Sequence, residues 1–493
     1  MSEAGRNGLM GYSVEYGILQ PVEFMKTVAA RLAFRIALLL AMCVAQAGQL
    51  HAQHSPQAPQ APSDSAIRAI LKERVDAGRF SGIAVGIVPR GGVRRIVTYG
   101  PNAGVQPFDG HSVFEIGSIT KTFTSAILAD MVKKGEVKLD DPVEQYLPTG
   151  TKIPERDGKK ITLLDLATHS SGLPRMPDNM KPKDPENPYA DYTPQQMYAF
   201  LGGYTLPRGV GEKYEYSNLA VGLLGQALSR RAGTDYETLV TTRILKPLGM
   251  NDTRITLNAS MQSRLAPGHT ETGKPAKNWD LPTFAGAGAL RSTVSDMLTY
   301  IAANADSTSE PLGATLAMTH SERRFGGSAN VTMGLNWHRL RSPAGRVYIW
   351  HNGGTGGYRT FTGYDEQTGL GVVVLSNTAR GVDDIGLHLL DAAFPLQPLP
   401  KAHTAIMLDE VALEKFVGIY DLAPTFAITI VRAGAQLTAQ ATGQGAFPIF
   451  PEAALEFFAK VTELTITFTN DAGGVVTGLV LHQGGANQSA KKR

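Results

Sequence analysis

Cysteine is almost absent from the 493-residue chain, which contains only Cys43. A single cysteine excludes an intramolecular disulfide bond, a cysteine-based zinc site and an iron–sulfur cluster. The 11 histidines include no His-Glu-x-x-His sequence, the pattern typical of zinc hydrolases. We therefore expect neither a metal ion nor another cofactor.

Charge of either sign is also sparse. Charged residues make up 18% of the chain, and 47 basic and 44 acidic side chains leave a formal net charge of +3. A dense basic run occurs only in the last three residues, 491–493. Nucleic acids and anionic membrane surfaces bind strongly basic patches. The composition therefore argues against nucleic acid or anionic lipid as the main partner.

Long apolar runs are missing as well. The apolar run at residues 36–47 has 12 residues, whereas a helix needs about 20 to span a bilayer. It follows the basic residues Lys26, Arg31 and Arg35 and precedes small residues. Basic, apolar and then small residues in this order are typical of a secretory signal peptide. A buried N-terminal helix is the alternative.

The signal peptide is predicted to span residues 25–52. It starts at the internal Met25 and ends with cleavage after Ala47 or Ala52. Residues 1–24 form an extension that matches no known targeting pattern. We expect a periplasmic or secreted mature protein with no stable membrane anchor after signal cleavage.

Two proline-rich segments divide the rest of the chain. Residues 53–65 and 396–407 are predicted linkers. Residues 66–395, between them, combine helical and strand patterns, whereas residues 408–493 show mainly strand patterns. The sequence thus predicts two folded domains.

Strand-like runs lie near both ends of the larger domain. Ile83–Val88 and Val93–Thr98 come early, Val347–Trp350 and Gly371–Leu375 come late, and a helix is predicted over Val382–Ala393. The region between the early and late strands has helical patterns. We expect one sheet built from both ends of the domain with helices around it, an α/β (α+β) fold.

The smaller domain alternates apolar and polar residues with a period of two. Phe426–Ile430 and Leu464–Phe468 are examples, and residues 432–435 and 470–474 have the composition of turns. A short helix is predicted around residues 409–417. This pattern predicts a small antiparallel β-barrel.

Ser118 and Lys121 form a Ser-x-x-Lys sequence. A helix that starts near Ser118 would place both side chains on one face, about one turn apart. A serine hydroxyl needs a neighbouring base to become a nucleophile, and burial makes the neutral form of a lysine accessible. The spacing also occurs at Ser489 in the polar tail. An N-cap serine beside a surface lysine is therefore the alternative.

Tyr216 and Asn218 form a Tyr-x-Asn sequence just before an apolar helical segment, residues 219–228. A tyrosine near a lysine ammonium ionises more easily and can serve as a base. An asparagine offers both a donor and an acceptor and is suited to binding an amide. A helix-start turn with the asparagine as its cap is the alternative.

His351, Gly353 and Gly354 belong to a glycine-rich stretch that follows the strand-like run Val347–Trp350. Glycine lets a backbone lie against a substrate and direct its N–H groups toward it. His-x-Gly also occurs at His482, and a plain turn is the alternative.

Taken together and in this order, the three motifs resemble those of the serine β-lactamase and penicillin-binding protein superfamily. The likeness is strongest to the class C-like branch, which includes D-stereospecific peptidases and esterases. Four further stretches carry it: residues 161–173, 246–250, 288–293 and 351–357. The resemblance covers about residues 66–395 and implies a β-lactamase/transpeptidase-like fold, an antiparallel sheet flanked by helices with a helical subdomain. Residues 408–493, with Tyr420, resemble the lipocalin-like C-terminal domain of some members.

The resemblance implies that Ser118 is the catalytic nucleophile of an acyl-transfer reaction. Lys121 and Tyr216 would remove its proton and return it to the leaving group. Water would then hydrolyse the acyl-enzyme, without a metal. The implied activity is hydrolysis of amide or ester bonds in D-amino-acid peptides or small esters.

The implied substrate-binding residues are Asn218, His351, Gly353 and Gly354. Asn218 would hold a substrate amide, and the backbone N–H groups of Ser118 and Gly354 would form an oxyanion hole, in which one donor is worth about 2.7–4 kcal/mol. Many β-lactamases have Lys-Thr-Gly where this chain has His351-Asn352-Gly353. A histidine is mostly neutral at pH 7, so we expect weak recognition of a substrate carboxylate.

Several other functions stay open. The protein could be a β-lactamase or a D-Ala-D-Ala carboxypeptidase, or a penicillin- or peptidoglycan-sensing receptor that is acylated without turnover. The C-terminal barrel could also carry the main function as a ligand binder. An α/β-hydrolase is not indicated, because the chain has no Gly-x-Ser-x-Gly sequence. The substrate depends on loops without a regular period, such as residues 175–192, and the oligomeric state is left open.

Five polar residues near these motifs are interpreted as structural. Arg291, Asp165 and Asp296 are expected to hold loops together. His169 is expected to be structural rather than a metal ligand, and Tyr358 to pack in the core or line the pocket mouth.

Overall fold

The computed structural model of the protein describes the chain from residue 61 onward, apart from short gaps. The described ranges are 61–100, 108–306, 308, 311–399, 403–423, 426–460, 464–483 and 486–493. The predicted extension (1–24) and signal peptide (25–52) lie outside these residues and stay predictions.

Ten strands form the framework of the larger domain within the described residues. They are β1 (Ile83–Val88), β2 (Arg95–Tyr99), β3 (Val113–Glu115), β4 (Arg291–Thr293), β5 (Arg324–Ser328), β6 (Val331–Met333), β7 (His338–Arg341), β8 (Val347–Gly354), β9 (Arg359–Asp365) and β10 (Gly371–Ser376). Eight of them form an antiparallel sheet in the order β2-β1-β10-β9-β8-β7-β6-β5, while β3 and β4 pair separately. The predicted sheet with strands from both ends of the domain is confirmed.

The central strands β1 and β10 pair along their whole length, with Ile83 opposite Ser376. Both strands are buried throughout. Ala84 and Val88 point into one hydrophobic cluster, and Ile83 and Val85 point into another. Because successive side chains of a strand point to opposite faces, a strand buried on both faces has mostly apolar positions. This explains the continuous apolar runs in the sequence.

Helices cover both faces of the sheet. They are α1 (Asp64–Asp76), α2 (Thr120–Lys133), α3 (Leu163–Ala167), α4 (Pro194–Gly203), α5 (Asn218–Ala232), α6 (Tyr236–Val240), α7 (Ala259–Ser263), α8 (Ala285–Gly288), α9 (Val294–Ala305), α10 (Gly313–His320) and α11 (Asp383–Leu390). Side chains of α1 and α11 join the cluster on one face. Those of α2, α5 and α9 join the cluster on the other face.

Helix α2 lies at the centre of the helical part of the domain. It is buried continuously from Thr120 to Met131 and packs against α5, α8 and α10. Its polar side chains bond to carbonyl groups inside the protein; for example, Thr124 Oγ1 donates to the Gly286 carbonyl oxygen at 2.6 Å. A buried hydroxyl without such a partner would cost free energy. The helix is therefore held in a fixed position relative to α8.

The structure corrects the predicted start of the larger domain. Helix α1 begins at Asp64, within the predicted linker 53–65. Ser63 caps it, because its side-chain oxygen accepts a hydrogen bond from the Ala66 N–H at 3.3 Å. The linker predicted from the proline-rich composition therefore extends too far, into the first residues of α1.

Two further boundaries differ from the prediction. Strand β2 begins at Arg95 rather than Val93, because Val93 lies in the irregular segment before the strand and is 81% exposed. The helix predicted over 382–393 is α11, which ends at Leu390 because Asp391 adopts an extended conformation. The apolar pattern of the sequence continues past both boundaries, whereas the strand or helix conformation of the backbone ends there.

The smaller domain is a closed antiparallel barrel. Its strands are β11 (Gly418–Ala423), β12 (Phe426–Ala433), β13 (Gln436–Ala441), β14 (Phe447–Pro451), β15 (Glu456–Ala459), β16 (Leu464–Asn470), β17 (Val476–Gln483) and β18 (Ala486–Lys492), and helix α12 (Glu410–Glu414) precedes them. The pairing of β18 with β11 closes the barrel, with Lys492 opposite Tyr420. Tyr420 is buried with Phe457 and Phe468, and its hydroxyl donates to the Phe416 carbonyl oxygen at 2.8 Å.

The predicted small barrel is thus confirmed, and its likeness to lipocalins stays a prediction. Helix α12 is shorter than the predicted helix over 409–417. Across the part of the chain that the structure describes, no helix combines the length and the apolar character that a membrane span needs.

Gly353 provides a test of the packing between β8 and the residues before α2. A Cβ at this position would lie 2.0 Å from the Ile116 carbonyl oxygen and 2.4 Å from Thr360 Oγ1. The backbone must move to relieve such a contact, so we expect Gly353→Ala to destabilise the domain by about 1–3 kcal/mol or more. Thermal and urea unfolding measure the change. The control is Gly381→Ala, whose Cβ would meet nothing within 4 Å; equal midpoints for the two variants would contradict this packing.

Candidate active site

Ser118 lies in a short 3-10 turn, Gly117–Ile119, that leads directly into α2. The α-helix itself begins at Thr120 rather than at Ser118, which corrects the predicted helix start. Ser118 is partly exposed, while Gly117 and Ile119 are buried. The hydroxyl is therefore open to a substrate at the first turn of a buried helix.

Lys121 lies fully buried behind Ser118. Its Nζ donates to Ser118 Oγ at 2.9 Å and to the Ala287 carbonyl oxygen at 2.6 Å. Among the described residues no carboxylate pairs with it. Burial lowers the pKa of Lys121 well below the usual 10.5, and the positive charge of Arg175 lowers it further. The neutral amine, which can accept a proton from the serine, is therefore favoured.

Tyr216 approaches the same pair from the loop before α5. Lys121 Nζ lies 5.0 Å from the centre of the Tyr216 ring. The expectation that the lysine would ease ionisation of the phenol is wrong. Burial raises the pKa of Tyr216, and this outweighs the lowering by Ser118 and Arg175. The phenol stays protonated here and can donate a hydrogen bond or a proton.

His169 holds the loop that carries Tyr216. Its Nδ1 accepts a hydrogen bond from the Ser217 N–H at 3.2 Å, and its ring centre lies 4.5 Å from that of Tyr216. Burial lowers the pKa of His169 well below 6.5, so the ring stays neutral and keeps an acceptor nitrogen. His169 also has a positive φ of 55°, which is uncommon for a residue other than glycine. It is structural, as expected, but it positions an active-site loop, which its sequence context did not reveal.

Asn218 is the first residue of α5, and the helix cap is its neighbour. Ser217 Oγ accepts from the Ala220 N–H at 2.9 Å, which corrects the alternative that Asn218 caps the helix. Asn218 Nδ2 donates to Met176 Sδ at 3.6 Å, while the buried Oδ1 has no hydrogen-bond partner among the residues that the structure describes. The contact of Asn218 with a substrate amide stays a prediction.

Residues 351–354 lie inside strand β8, not in a loop after it. The reason is that pairing with β9 continues to the end of the stretch, where Gly354 lies opposite Arg359. The end of β8 packs against the turn that carries Ser118, because a Cβ on Gly117 would lie 2.6 Å from the Gly354 nitrogen. Gly117 has a φ of +51°, so the position favours glycine on two grounds.

A cleft connects three of the predicted site residues. Ser118, Asn218 and Gly354 line it together, with Tyr189 and Trp279 as aromatic walls. The partly exposed Ser118 hydroxyl and the end of β8 thus face one space, as an oxyanion hole requires. Gly353, by contrast, is buried against the Ile116 carbonyl and supports the site from behind.

His351 is fully buried and does not point a charge into the cleft. Its Nδ1 lies 2.5 Å from the Asn352 carbonyl oxygen, and its Nε2 has no hydrogen-bond partner within the described ranges. Burial lowers the pKa of His351 well below 6.5. The imidazole is therefore neutral at pH 7 and offers no cation to a substrate carboxylate.

The charged residues interpreted as structural bind within the protein. The contacts are Arg291 with Glu115 at 3.1 Å, Asp165 with Thr162 in a helix capping box, and Asp296 with the Asp252 N–H at 2.9 Å. Tyr358 is buried and donates its hydroxyl to the Ala266 carbonyl at 2.6 Å, so it packs in the core. The described ranges contain no cluster of three or more His, Cys, Asp or Glu side chains that could hold a metal ion.

A partly exposed serine beside a buried lysine at the start of a central helix is an arrangement of serine hydrolases. The beta-lactamase family model matches residues 67–393, and a model described as a domain of unknown function (DUF3471) matches residues 402–492. The chain therefore belongs to the beta-lactamase family, and it is a beta-lactamase-related serine hydrolase. The resemblance drawn from the motifs is confirmed.

Individual relatives support the same assignment. The D-alanyl-D-alanine-carboxypeptidase/endopeptidase AmpH of Escherichia coli (strain K12) is 30% identical over 328 residues, which is 62% of this chain and 83% of the relative. A beta-lactamase of Pseudomonas fluorescens is 26% identical over 64% of this chain and 92% of its own. The crystal structure of a beta-lactamase/D-alanine carboxypeptidase from Yersinia pestis, complexed with citrate, matches with a TM-score of 0.57 and 27% identity. It covers 67% of this chain and 96% of that one.

The lowered pKa of Lys121 predicts an acid limb in the pH profile. If the neutral amine takes the proton of Ser118, activity is present above the pKa of Lys121 and is lost as the pH falls through it. We expect kcat/KM for p-nitrophenyl acetate to show a midpoint well below 10.5. Lys121→Gln should lower kcat/KM by a factor of about 10²–10⁴ and remove the limb. The control is Lys133→Gln, an exposed lysine of the same helix. A midpoint near 10.5 would contradict the role of burial.

Proposed function

We propose that the protein forms an acyl-enzyme on Ser118 and hydrolyses small esters and D-amino-acid peptides. The observation that carries this proposal is the 2.9 Å contact between Lys121 Nζ and Ser118 Oγ. A serine hydroxyl is a weak nucleophile unless an adjacent base takes its proton. Here the base is buried and its pKa is lowered, so the neutral amine that can take this proton is more accessible than in an exposed lysine.

The reaction follows from the positions of these groups. Ser118 Oγ attacks the carbonyl carbon while its proton moves to the neutral amine of Lys121. The oxyanion binds the backbone N–H groups of Ser118 and Gly354, whose segments lie against each other. The protonated amine then supplies the proton that the leaving group needs, either directly or through the Tyr216 phenol, which gives its proton to the leaving group and takes up that of the amine. Water attacks the acyl-enzyme by the reverse route and frees Ser118.

The neutral, buried His351 favours esters and peptides over β-lactams. A β-lactam carries a carboxylate that a permanent cation would attract, and His351 supplies none at pH 7. The second candidate is a D-alanyl-D-alanine carboxypeptidase/endopeptidase. It is supported by the name of the 30%-identical relative from Escherichia coli, and the same neutral side chain argues against it.

A substrate panel tests the proposed activity. We expect clear hydrolysis of short p-nitrophenyl esters and weak or no hydrolysis of the cephalosporin nitrocefin. Ser118→Ala should abolish ester hydrolysis and labelling by a fluorophosphonate probe, whereas Ser263→Ala, which changes an exposed serine, should leave both unchanged. Fast nitrocefin turnover without ester activity would contradict the proposal. Intact-mass measurement separates a hydrolase, with a transient adduct on Ser118, from a receptor with a lasting one.

We also propose that the protein is exported, with residues 25–52 as a cleaved signal peptide. The support is the order of basic, apolar and small residues in this segment. Expression from Met25 in a Gram-negative host should yield a periplasmic or secreted protein whose first residue is Gly48 or Gln53, as read by N-terminal sequencing. Replacing Leu39 and Leu40 with arginines should block export. A full-length cytoplasmic protein expressed from Met25 would contradict the proposal.

A further inference from the structure

Arg175 is a cation beside the active site, next to Tyr216. Its side chain is exposed, and its guanidinium carbon lies 5.1 Å from the centre of the Tyr216 ring. Among the described residues it makes no side-chain hydrogen bond and no ion pair. Glu215, next to Tyr216 in the chain, pairs with Arg208 instead. A guanidinium stacked on an aromatic ring keeps its in-plane N–H donors free for a ligand.

The backbone of Arg175 is fixed to the substrate-binding wall. Its carbonyl oxygen accepts the N–H groups of Asn218 at 3.0 Å and Leu219 at 3.3 Å. These are the first residues of α5, and Asn218 lines the cleft with Ser118. The base of the arginine side chain therefore cannot shift without moving Asn218. The side chain is positioned by its own backbone and by the face of Tyr216.

The charge of Arg175 acts on the groups around the cleft. It lowers the pKa of Lys121 and of His169, and it lowers that of Tyr189 and Tyr216 against the effect of burial. A cation with this reach also attracts an anionic substrate. Arg175 thus places a positive charge next to the wall that carries Tyr216 and Asn218.

We propose that Arg175 is a substrate-binding residue that selects esters and amides carrying a carboxylate. This proposal deepens the proposed function and rests on it, because the carboxylate belongs to the molecule that acylates Ser118. The planar fork of the guanidinium binds a carboxylate through two parallel hydrogen bonds. The weak carboxylate recognition expected from His351 applies to the β8 side of the cleft. Arg175 supplies the anchor on the opposite wall.

Two matched pairs of esters test the proposal. The first pair is the p-nitrophenyl monoester of adipic acid and its methyl-capped diester, which differ by one charge on the acyl part. The second pair is 3-carboxyphenyl acetate and its methyl ester, which differ by one charge on the leaving group. For each pair, the ratio of kcat/KM for the anionic ester to that for the capped ester is measured. This ratio cancels any effect of Arg175 on the reactivity of Lys121.

We expect Arg175→Gln to lower this ratio at least tenfold in one of the two pairs, since hydrogen bonds to charged groups contribute more than neutral ones. Arg175→Lys, which keeps the charge but loses the fork, should recover part of the ratio. Lys181→Gln, which removes one positive charge from an exposed position of the same loop, should leave the ratio within twofold of the wild-type value. An unchanged ratio in both pairs for Arg175→Gln overturns the proposal. This includes the case in which kcat/KM falls by the same factor for the anionic and the capped ester.

A binding measurement separates this proposal from the proposed function. Adipate is titrated calorimetrically into Ser118→Ala and into Ser118→Ala/Arg175→Gln, neither of which can be acylated at Ser118. Tighter binding of adipate to the first variant supports the arginine anchor, even if the esters are not turned over. Equal binding to both variants overturns the anchor, while Ser118-dependent ester hydrolysis by the wild-type protein would still support the proposed function.

Discussion

The burial of Lys121 without an acidic partner is the constraint on which the rest of the site depends. Removing an ammonium from water costs far more than a few hydrogen bonds return, so the side chain is stable there mainly as a neutral amine. Two acceptors hold it, Ser118 Oγ and the Ala287 carbonyl oxygen. The core around α2 has to be stable enough to enclose such a group. Reactivity at Ser118 is therefore a property of the packed domain, not of one side chain.

Part of the site and of the fold could be predicted from the sequence, because it depends on residues close together in the chain or on repeated patterns. The Ser118–Lys121 spacing brings the two side chains together even though a 3-10 turn precedes the α-helix, because a separation of three residues faces one side in both helix types. The pairing of β1 with β10 could be expected, because burial on both faces leaves an apolar run in each strand. These features depend on neighbouring residues or on repeated patterns.

The features that were missed depend on contacts between distant loops. His169 and Arg175 lie in segments without a period, and their roles arise only when these segments meet the Tyr216 loop. The glycines after His351 suggested a turn, yet they lie in a strand because β9 continues alongside. Tyr216 was expected to ionise easily, but the sequence gives no measure of how far the ring is buried. Desolvation is set by the complete fold and cannot be read from spacing.

The pairing of β1 with β10 also has a consequence for the order in which the protein can fold. A nascent chain that has extended as far as β8 still lacks β10, one of the two strands that pair with β1, which lies near the end of the larger domain. The central ladder therefore forms only after nearly the whole domain has been synthesised, and contacts between such distant segments form slowly. During that interval the edge of β1 that meets β10 in the folded domain has no partner strand.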